Sequence, residues 1–216
     1  MKADLHVHSD HSGDGRQSLE DILRTCREIG LGALAITDHN NMDCYPSVAE
    51  DIMILPGMEI TTADGHVLAY LIGEPVPRGR SVDETIDLIH DQGGIAVAAH
   101  PYRWWSGLGE ENVRGRKFDA VETLNSRSMG LGNRRAARLA RSIGVSEVGG
   151  SDAHVTAHIG RAWTVFPDDC QNAEDMVKAI RTGATSAEGR GRGIGQTIAY
   201  GTKSIARWAG RGFKRL

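Results

Sequence analysis

Histidine placement constrains this chain more than any other feature. Six of its nine histidines fall where short apolar runs begin or end. His6 and His8 close the run from Ala3 to Val7, His39 follows Leu34–Thr37, and His66 opens His66–Ile72. His100 follows Ile95–Ala99, and His154 comes shortly after Val145–Gly149. Carboxylates accompany them at Asp38, Glu59 and Asp152. Residues i and i+2 of a strand share a face, so His6 and His8 direct two imidazoles at one place. Packing accounts for any single buried histidine. It does not account for six of them, with three carboxylates, at successive strand ends, where strand–helix folds build their sites. Imidazole plus carboxylate is the donor set of a borderline divalent ion.

The apolar runs alternate with helical patterns. Ser18-Leu19-Glu20-Asp21 opens a helix carrying Ile22, Leu23 and Cys26, which Gly30 ends. Ser81 to Asp91 places Val82, Ile86 and Ile89 on one face, and Gly132–Ile143 and Ala173–Arg181 are two more helices. Ile52–Leu55 and Met58–Thr61 flank a break at Pro56-Gly57; Ala120–Leu124 and Ala162–Phe166 complete the strands. This alternation predicts an α/β fold with a mainly parallel sheet, open or closed into a barrel.

Composition narrows the class. With 216 residues, 40% hydrophobic and 25% charged, the chain is long enough to bury a core and is not of disordered type. Its apolar runs are far too short to span a bilayer. The start, Met1-Lys2-Ala3-Asp4, turns charged where a signal peptide would be apolar, which predicts a cytoplasmic protein. Three cysteines without a CxxC pair argue against a disulfide framework or a thiolate zinc site. The net charge of −3 conceals an asymmetry. Seven of the 25 basic residues and none of the 28 acids lie in 189–216, which leaves 18 against 28 in the body. We therefore divide the chain into a body, 1–188, and a basic Gly/Arg linker with a C-terminal helix, 189–216, that helix running from Gln196 to Ala209.

Seven segments, in this order, resemble the PHP (polymerase and histidinol phosphatase) family of metal-dependent phosphoesterases: DLHVHSDHSGDG (4–15), ITDHN (36–40), GMEI (57–60), GHVLAY (65–70), AHPYR (99–103), VETLNSR (121–127) and GGSDAH (149–154). The resemblance implies a distorted seven-stranded (β/α)7 TIM-like barrel with two or three divalent ions (manganese, zinc or iron) at the strand carboxyl ends. It implies His6, His8, Glu59 and Asp152 as ligands of a first ion. Glu59, His66 and His100 would hold a second, with Glu59 bridging, and His39, His154 and Asp14 a third. Asp10 and His11 are rivals for the place of Asp14. Three divalent ions against three carboxylates would leave a site of about +3, and two ions about +1; either suits a phosphate. The implied reaction is hydrolysis of a phosphate ester by a metal-bridging hydroxide, on a small phosphorylated metabolite or nucleotide. The alternatives are a nuclease or exonuclease, with nucleic acid held by the basic tail, and a non-catalytic metal-binding module.

Other residues keep two readings. Arg103 clamps a phosphate with its planar fork or lies on Trp104 or Trp105. Asn125 touches substrate or forms a turn. Arg161 faces the cleft or pairs with an acid of the body. Asp4 and Asp38, beside ligands, are expected to orient an imidazole. His90 is expected on an exposed helix face, His158 outside the ligand set, and Arg134, Arg135, Arg138 and Arg141 on a solvated face or against nucleic acid.

Overall fold

The computed structural model describes residues 1–44 and 51–193. Nine strands form one sheet: β1 (Lys2–Val7), β2 (Ala33–Ile36), β3 (Met53–Thr61), β4 (His66–Tyr70), β5 (Ile95–Ala98), β6 (Ala120–Asn125), β7 (Ser146–Gly150), β8 (Ala162–Val165) and β9 (Ser186–Gly189). Four helices cover it: α1 (Leu19–Ile29), α2 (Val82–Asp91), α3 (Gly130–Ile143) and α4 (Ala173–Arg181). The strand order is β7-β6-β5-β4-β3-β2-β1-β8-β9.

The sheet curls until its ends meet. Beyond β7, Ala153 bridges Val7 at the end of β1, and His8 N–H donates to the Ala153 carbonyl at 2.9 Å. Gln17 Nε2 donates to the carbonyls of His8 (2.7 Å) and Ala153 (3.0 Å), tying the same seam. On β7, Thr164 Oγ1 of β8 exchanges hydrogen bonds with Gly149 N and O, at 2.8 and 2.9 Å. The fold is thus α/β and nearly closed, as expected, but it has nine strands rather than seven.

Half the ladders are antiparallel, against the expected mainly parallel sheet. β1/β2, β2/β3, β5/β6 and β6/β7 run parallel, whereas β3/β4, β4/β5, β1/β8 and β8/β9 do not. β4 follows β3 through the tight turn Thr62–Gly65, where Thr62 N–H donates to the Gly65 carbonyl at 2.9 Å. Because β4 runs backwards, its first residue, His66, stands at the end of the barrel where its neighbours finish.

The Pro56-Gly57 pair does not break the chain into two strands. β3 is continuous and changes partner there, pairing with β2 over Met53–Pro56 and with β4 over Gly57–Thr61. A proline has no N–H to give a ladder, so it belongs where the pairing changes. β9 was not anticipated, because Ser186-Ala187-Glu188-Gly189 has neither apolar alternation nor β-branched residues. The boundary drawn at 188/189 falls inside this strand. The residues after it are bonded to the body as well: Arg190 N–H donates to the Arg161 carbonyl and Arg192 N–H to that of Ser128, both at 2.8 Å. The helix expected from 196 to 209 lies outside the described residues.

The helices follow their end signals. Ser18 Oγ accepts from Asp21 N–H, and Gly30 closes α1 in the left-handed region (φ 73°). Ser81 and Glu84 form a complete capping box on α2. Met176, Val177 and Ile180 of α4 pack with Ala3, Leu5, Ala33 and Leu55, filling one end of the barrel. Ligand-type residues gather at the other. No helix among the described residues is long and apolar enough to cross a membrane.

Candidate metal centre

Glu59 is the hub of the site. It lies on β3, 1% exposed, with five imidazole nitrogens around its two oxygens. Oε1 lies 2.7 Å from His66 Nδ1 and 2.9 Å from His100 Nε2. Oε2 lies 3.2 Å from each of His6 Nε2, His8 Nε2 and His39 Nδ1. Asp152 closes one flank, its Oδ1 3.5 Å from His8 Nε2 and from His154 Nδ1 and 3.9 Å from His6 Nε2. Asp14 closes the other, 2.8 Å from His154 Nε2 and 3.9 Å from His39 Nε2.

All nine residues expected as ligands are brought together. They fall into four overlapping groups, and within each the donor atoms lie inside 4.8 Å: His6/His8/Glu59, His6/His100/Asp152, His39/Glu59/His66 and His8/Asp14/His39/His154. Asp10 and His11 pair with each other at 3.3 Å, each about half exposed, and join none of the groups.

Two of these residues sit on left-handed backbone: His100 (φ 27°) after β5 and Asp152 (φ 54°) after β7. Such backbone in a residue other than glycine is held only where surrounding contacts enforce it, and it concentrates at functional sites. Here Glu122 Oε2 accepts from His100 N–H at 2.8 Å. Gly150, just before, meets a need for close approach: a Cβ there would lie 2.4 Å from His6 Cβ.

The charges are interlocked. Burial alone would raise Glu59 and Asp152, yet both carboxyls are held well below the usual range. For Glu59 the charges of His6 and His66 and the hydrogen bond from His100 do this; for Asp152 it is chiefly Arg103, then His6 and Arg127. His6 is raised well above its ordinary value, against its burial, by Glu122, Asp152 and Glu59. His8 is raised too, against its burial, by the carboxylates of Asp152 and Glu59 beside it. Burial pushes His39 and His100 down to about 4, with His8 adding to the effect on His39 and Arg103 to that on His100.

Donor chemistry fits a divalent ion. His6 Nε2, His8 Nε2 and His100 Nδ1 are buried without a hydrogen-bond partner. An unpartnered buried polar atom is costly, so three within one cluster call for a further partner. His6 Nε2 and His8 Nε2 face the same carboxylate oxygen at 3.2 Å, an arrangement suited to sharing an ion.

A ring of supports surrounds the cluster, and several were missed from sequence. Glu122, 1% exposed on β6, accepts from His6 Nδ1 at 2.8 Å and from Asn125 Nδ2 at 3.0 Å. An acidic residue inside an otherwise buried strand was the available signal. Arg127, in the same segment, places Nη1 3.1 Å from Asp152 Oδ1 and 2.8 Å from His154 Nδ1. Asn125 joins the site, its Nδ2 3.1 Å from Asp152 Oδ2. Arg103 lies over the cluster and not on a tryptophan: its Nη2 donates to Asp152 Oδ2 at 2.5 Å and Asn125 Oδ1 at 2.6 Å.

Other expectations are corrected. Arg161 makes no acid pair among the described residues; its Nε donates to the Ala157 carbonyl at 3.2 Å. Asp4 and Asp38 hold backbone and hydroxyl groups rather than imidazoles. Asp4 accepts from the N–H groups of His6, Ser151 and Gly160, and Asp38 from Ser9 N–H and Oγ. His90 is only partly exposed and bonds Asp119 at 2.8 Å. His158 stays outside the four groups, as expected.

A nearly closed α/β barrel with buried imidazoles and carboxylates at its mouth defines the class: a barrel with a candidate site for divalent metal ions. The chain belongs to the PHP family. The PHP domain matches residues 4–103 and the PHP-associated domain residues 130–185. An uncharacterized protein of Methanocaldococcus jannaschii is 33% identical over 141 residues, covering 58% of this chain and 82% of that protein. Among solved structures, a two-domain Bacteroides vulgatus protein containing a predicted PHP-like metal-dependent phosphoesterase superposes with a TM-score of 0.66 at 20% identity, over 88% of this chain and 65% of its own. Endonuclease Q, in complex with a 27-mer duplex bearing an abasic lesion, gives a TM-score of 0.71 at 17% identity, over 87% of this chain and 59% of its own.

Proposed function

We propose that this chain is a metal-dependent phosphoesterase. The observation that carries the reading is Glu59, one buried carboxylate faced by five imidazole nitrogens at 2.7–3.2 Å. No packing requirement produces that arrangement, whereas a carboxylate placed to hold divalent ions together with these imidazoles would. His6, His8, Glu59 and Asp152 would hold one ion and Glu59, His66 and His100 a second. Asp14, His39 and His154 would hold a third. When bound, such ions polarise phosphate oxygens and lower the pKa of water toward neutrality.

The chain's own residues supply the rest. Arg103 and Arg127 bring two guanidinium charges to the Asp152 side of the cluster. A guanidinium has five N–H donors, and the hydrogen bonds from Arg103 to Asn125 and Asp152 use only Nη2, so its fork has capacity for a phosphate oxygen. Asn125 fixes that fork through its Oδ1 and braces Asp152 through its Nδ2. Burial of His6, His8, Glu59, His100 and Asp152, all at 2% exposure or less, keeps bulk water from the inner face of the site.

The test pairs elemental analysis of chain purified without chelator with hydrolysis of a chromogenic phosphomonoester and phosphodiester in manganese. Two or three ions per chain with turnover is the expected result. Metal-free protein that neither binds added manganese nor cleaves either ester overturns the reading. A nuclease is the second reading, favoured by the fold shared with endonuclease Q. Cleavage of a polymer would fall steeply between about 50 and 200 mM salt, and turnover of a small ester far less.

A further inference from the structure

Trp104 and Trp105 are the least expected side chains on the surface. They are 88% and 85% exposed, and their rings stack on each other at 5.6 Å and 29°. A tryptophan left in water forgoes a large burial gain, so a pair of them calls for an occupant.

Their position says which occupant. The loop that carries them is fastened to the cluster at both ends. Arg103 N–H donates to the His100 carbonyl at 2.9 Å, and the Ser106 carbonyl accepts from His66 N–H at 3.0 Å. Trp104 therefore adjoins a residue whose guanidinium reaches Asp152, and Trp105 adjoins one bonded to His66. Within the loop, Gly107 N–H donates to the Arg103 carbonyl at 2.9 Å, which holds the turn shut.

The second arginine repeats the pattern. Arg127 also contacts Asp152, and Met129 (49% exposed) and Leu131 (60%) follow it closely. Of the five large hydrophobic side chains exposed among the described residues, these two and the tryptophans make four. Each guanidinium on Asp152 is thus followed along the chain by an apolar pair. A ligand that matches carries an anion at one end and a flat aromatic ring close by.

We propose that Trp104 and Trp105 are the base platform of a nucleoside-phosphate site. The phosphate lies toward Arg103 and Arg127, and the base stacks on the indole face. The proposal deepens the phosphoesterase reading and rests on it, because that reading places the phosphate. Stacking tolerates any base, since each has a π-face, so the platform selects nucleotides over other phosphate esters without selecting among bases. The nucleotide is either free or the end of a single strand.

The experiment uses the manganese-loaded full chain with adenosine 5′-monophosphate and ribose 5-phosphate as probes. Tryptophan emission is followed by rapid mixing, before turnover, and ribose 5-phosphate affinity is read as competition against the adenosine signal. The expected result is quenching by the nucleotide and an affinity about 5- to 100-fold above that of the sugar phosphate. Trp104→Ala should remove most of that preference and Trp104→Phe should keep most of it. A short 5′-phosphorylated single strand separates the two sources. Binding tighter than the mononucleotide assigns a strand end, and equal or weaker binding assigns the free nucleotide. Equal affinity for the two small probes, or no quenching, overturns the proposal. If the chromogenic esters are still hydrolysed, the platform alone fails. If they are not and no metal binds, the phosphoesterase reading has failed with it.

Discussion

Glu122 Oε1 accepts the Nδ1 proton of His6 at 2.8 Å, which leaves the opposite nitrogen, Nε2, to face Glu59. A ring nitrogen that donates fixes the tautomer, and with it the nitrogen that can hold a metal. The same carboxylate restrains the backbone of His100 through Oε2. One residue that touches no other member of the hub thus sets two of its histidines.

Glu122→Gln should therefore weaken metal binding by about 10- to 100-fold while the chain stays folded. Metal titration followed by competition with a chromophoric chelator measures it. An unchanged affinity would remove Glu122 from the centre.

Metal uptake should release protons. His6 and His8 are raised by their carboxylate neighbours and so keep their protons to higher pH than a free imidazole does, whereas His39 and His100, near 4, are already neutral at pH 7. An ion taking the first two must displace their protons, so affinity rises with pH until both are neutral and falls as pH drops. His39 and His100 add to the loss only as pH approaches about 4. Each displaced proton makes affinity change by up to about tenfold per pH unit. Titrations between about pH 6 and pH 8, in an indicator dye, test the slope.

Chelation should lower thermal stability. An ion at about 100 times its dissociation constant stabilises the native state by about 2.7 kcal/mol. For a chain of this length that is about 5–10 °C in Tm. Scanning calorimetry with and without chelator gives the shift, and restoring manganese should reverse it.

Gly150→Ala should cost about 1–3 kcal/mol, because its methyl group would lie 2.4 Å from His6 Cβ and 2.7 Å from His6 N, atoms that cannot swing aside. Denaturant titration should show a lower midpoint with the slope unchanged. Gly13→Ala, with nothing within 4 Å of the new carbon, lacks that clash.

The sequence exposed the site more fully than the architecture. Histidines at the ends of apolar runs are visible because spacing and residue type both depart from packing, and the nine expected ligands do converge. Strand direction is not visible that way. His66 reads as the start of a strand, but only the Thr62–Gly65 turn reverses β4. Pro56 reads as a stop when it marks a change of partner. β9 is held by pairing with β8, a tertiary contact that its own four residues do not announce. Glu122 and Arg127 lay within a segment already singled out, yet a side chain that works by holding another leaves no spacing rule of its own.

The backward course of β4 has a consequence for the order of folding. Glu59 and His66 meet across a hairpin after only seven residues, whereas His100 joins Glu59 from 41 residues away and the Asp14–His154 contact spans 140. A hairpin forms in about 1–10 μs, and long loops close later. That pair is therefore fixed by a local turn, as is Asp152–His154, two residues apart, whereas the contacts to His100 and between Asp14 and His154 wait on the closure of far longer loops.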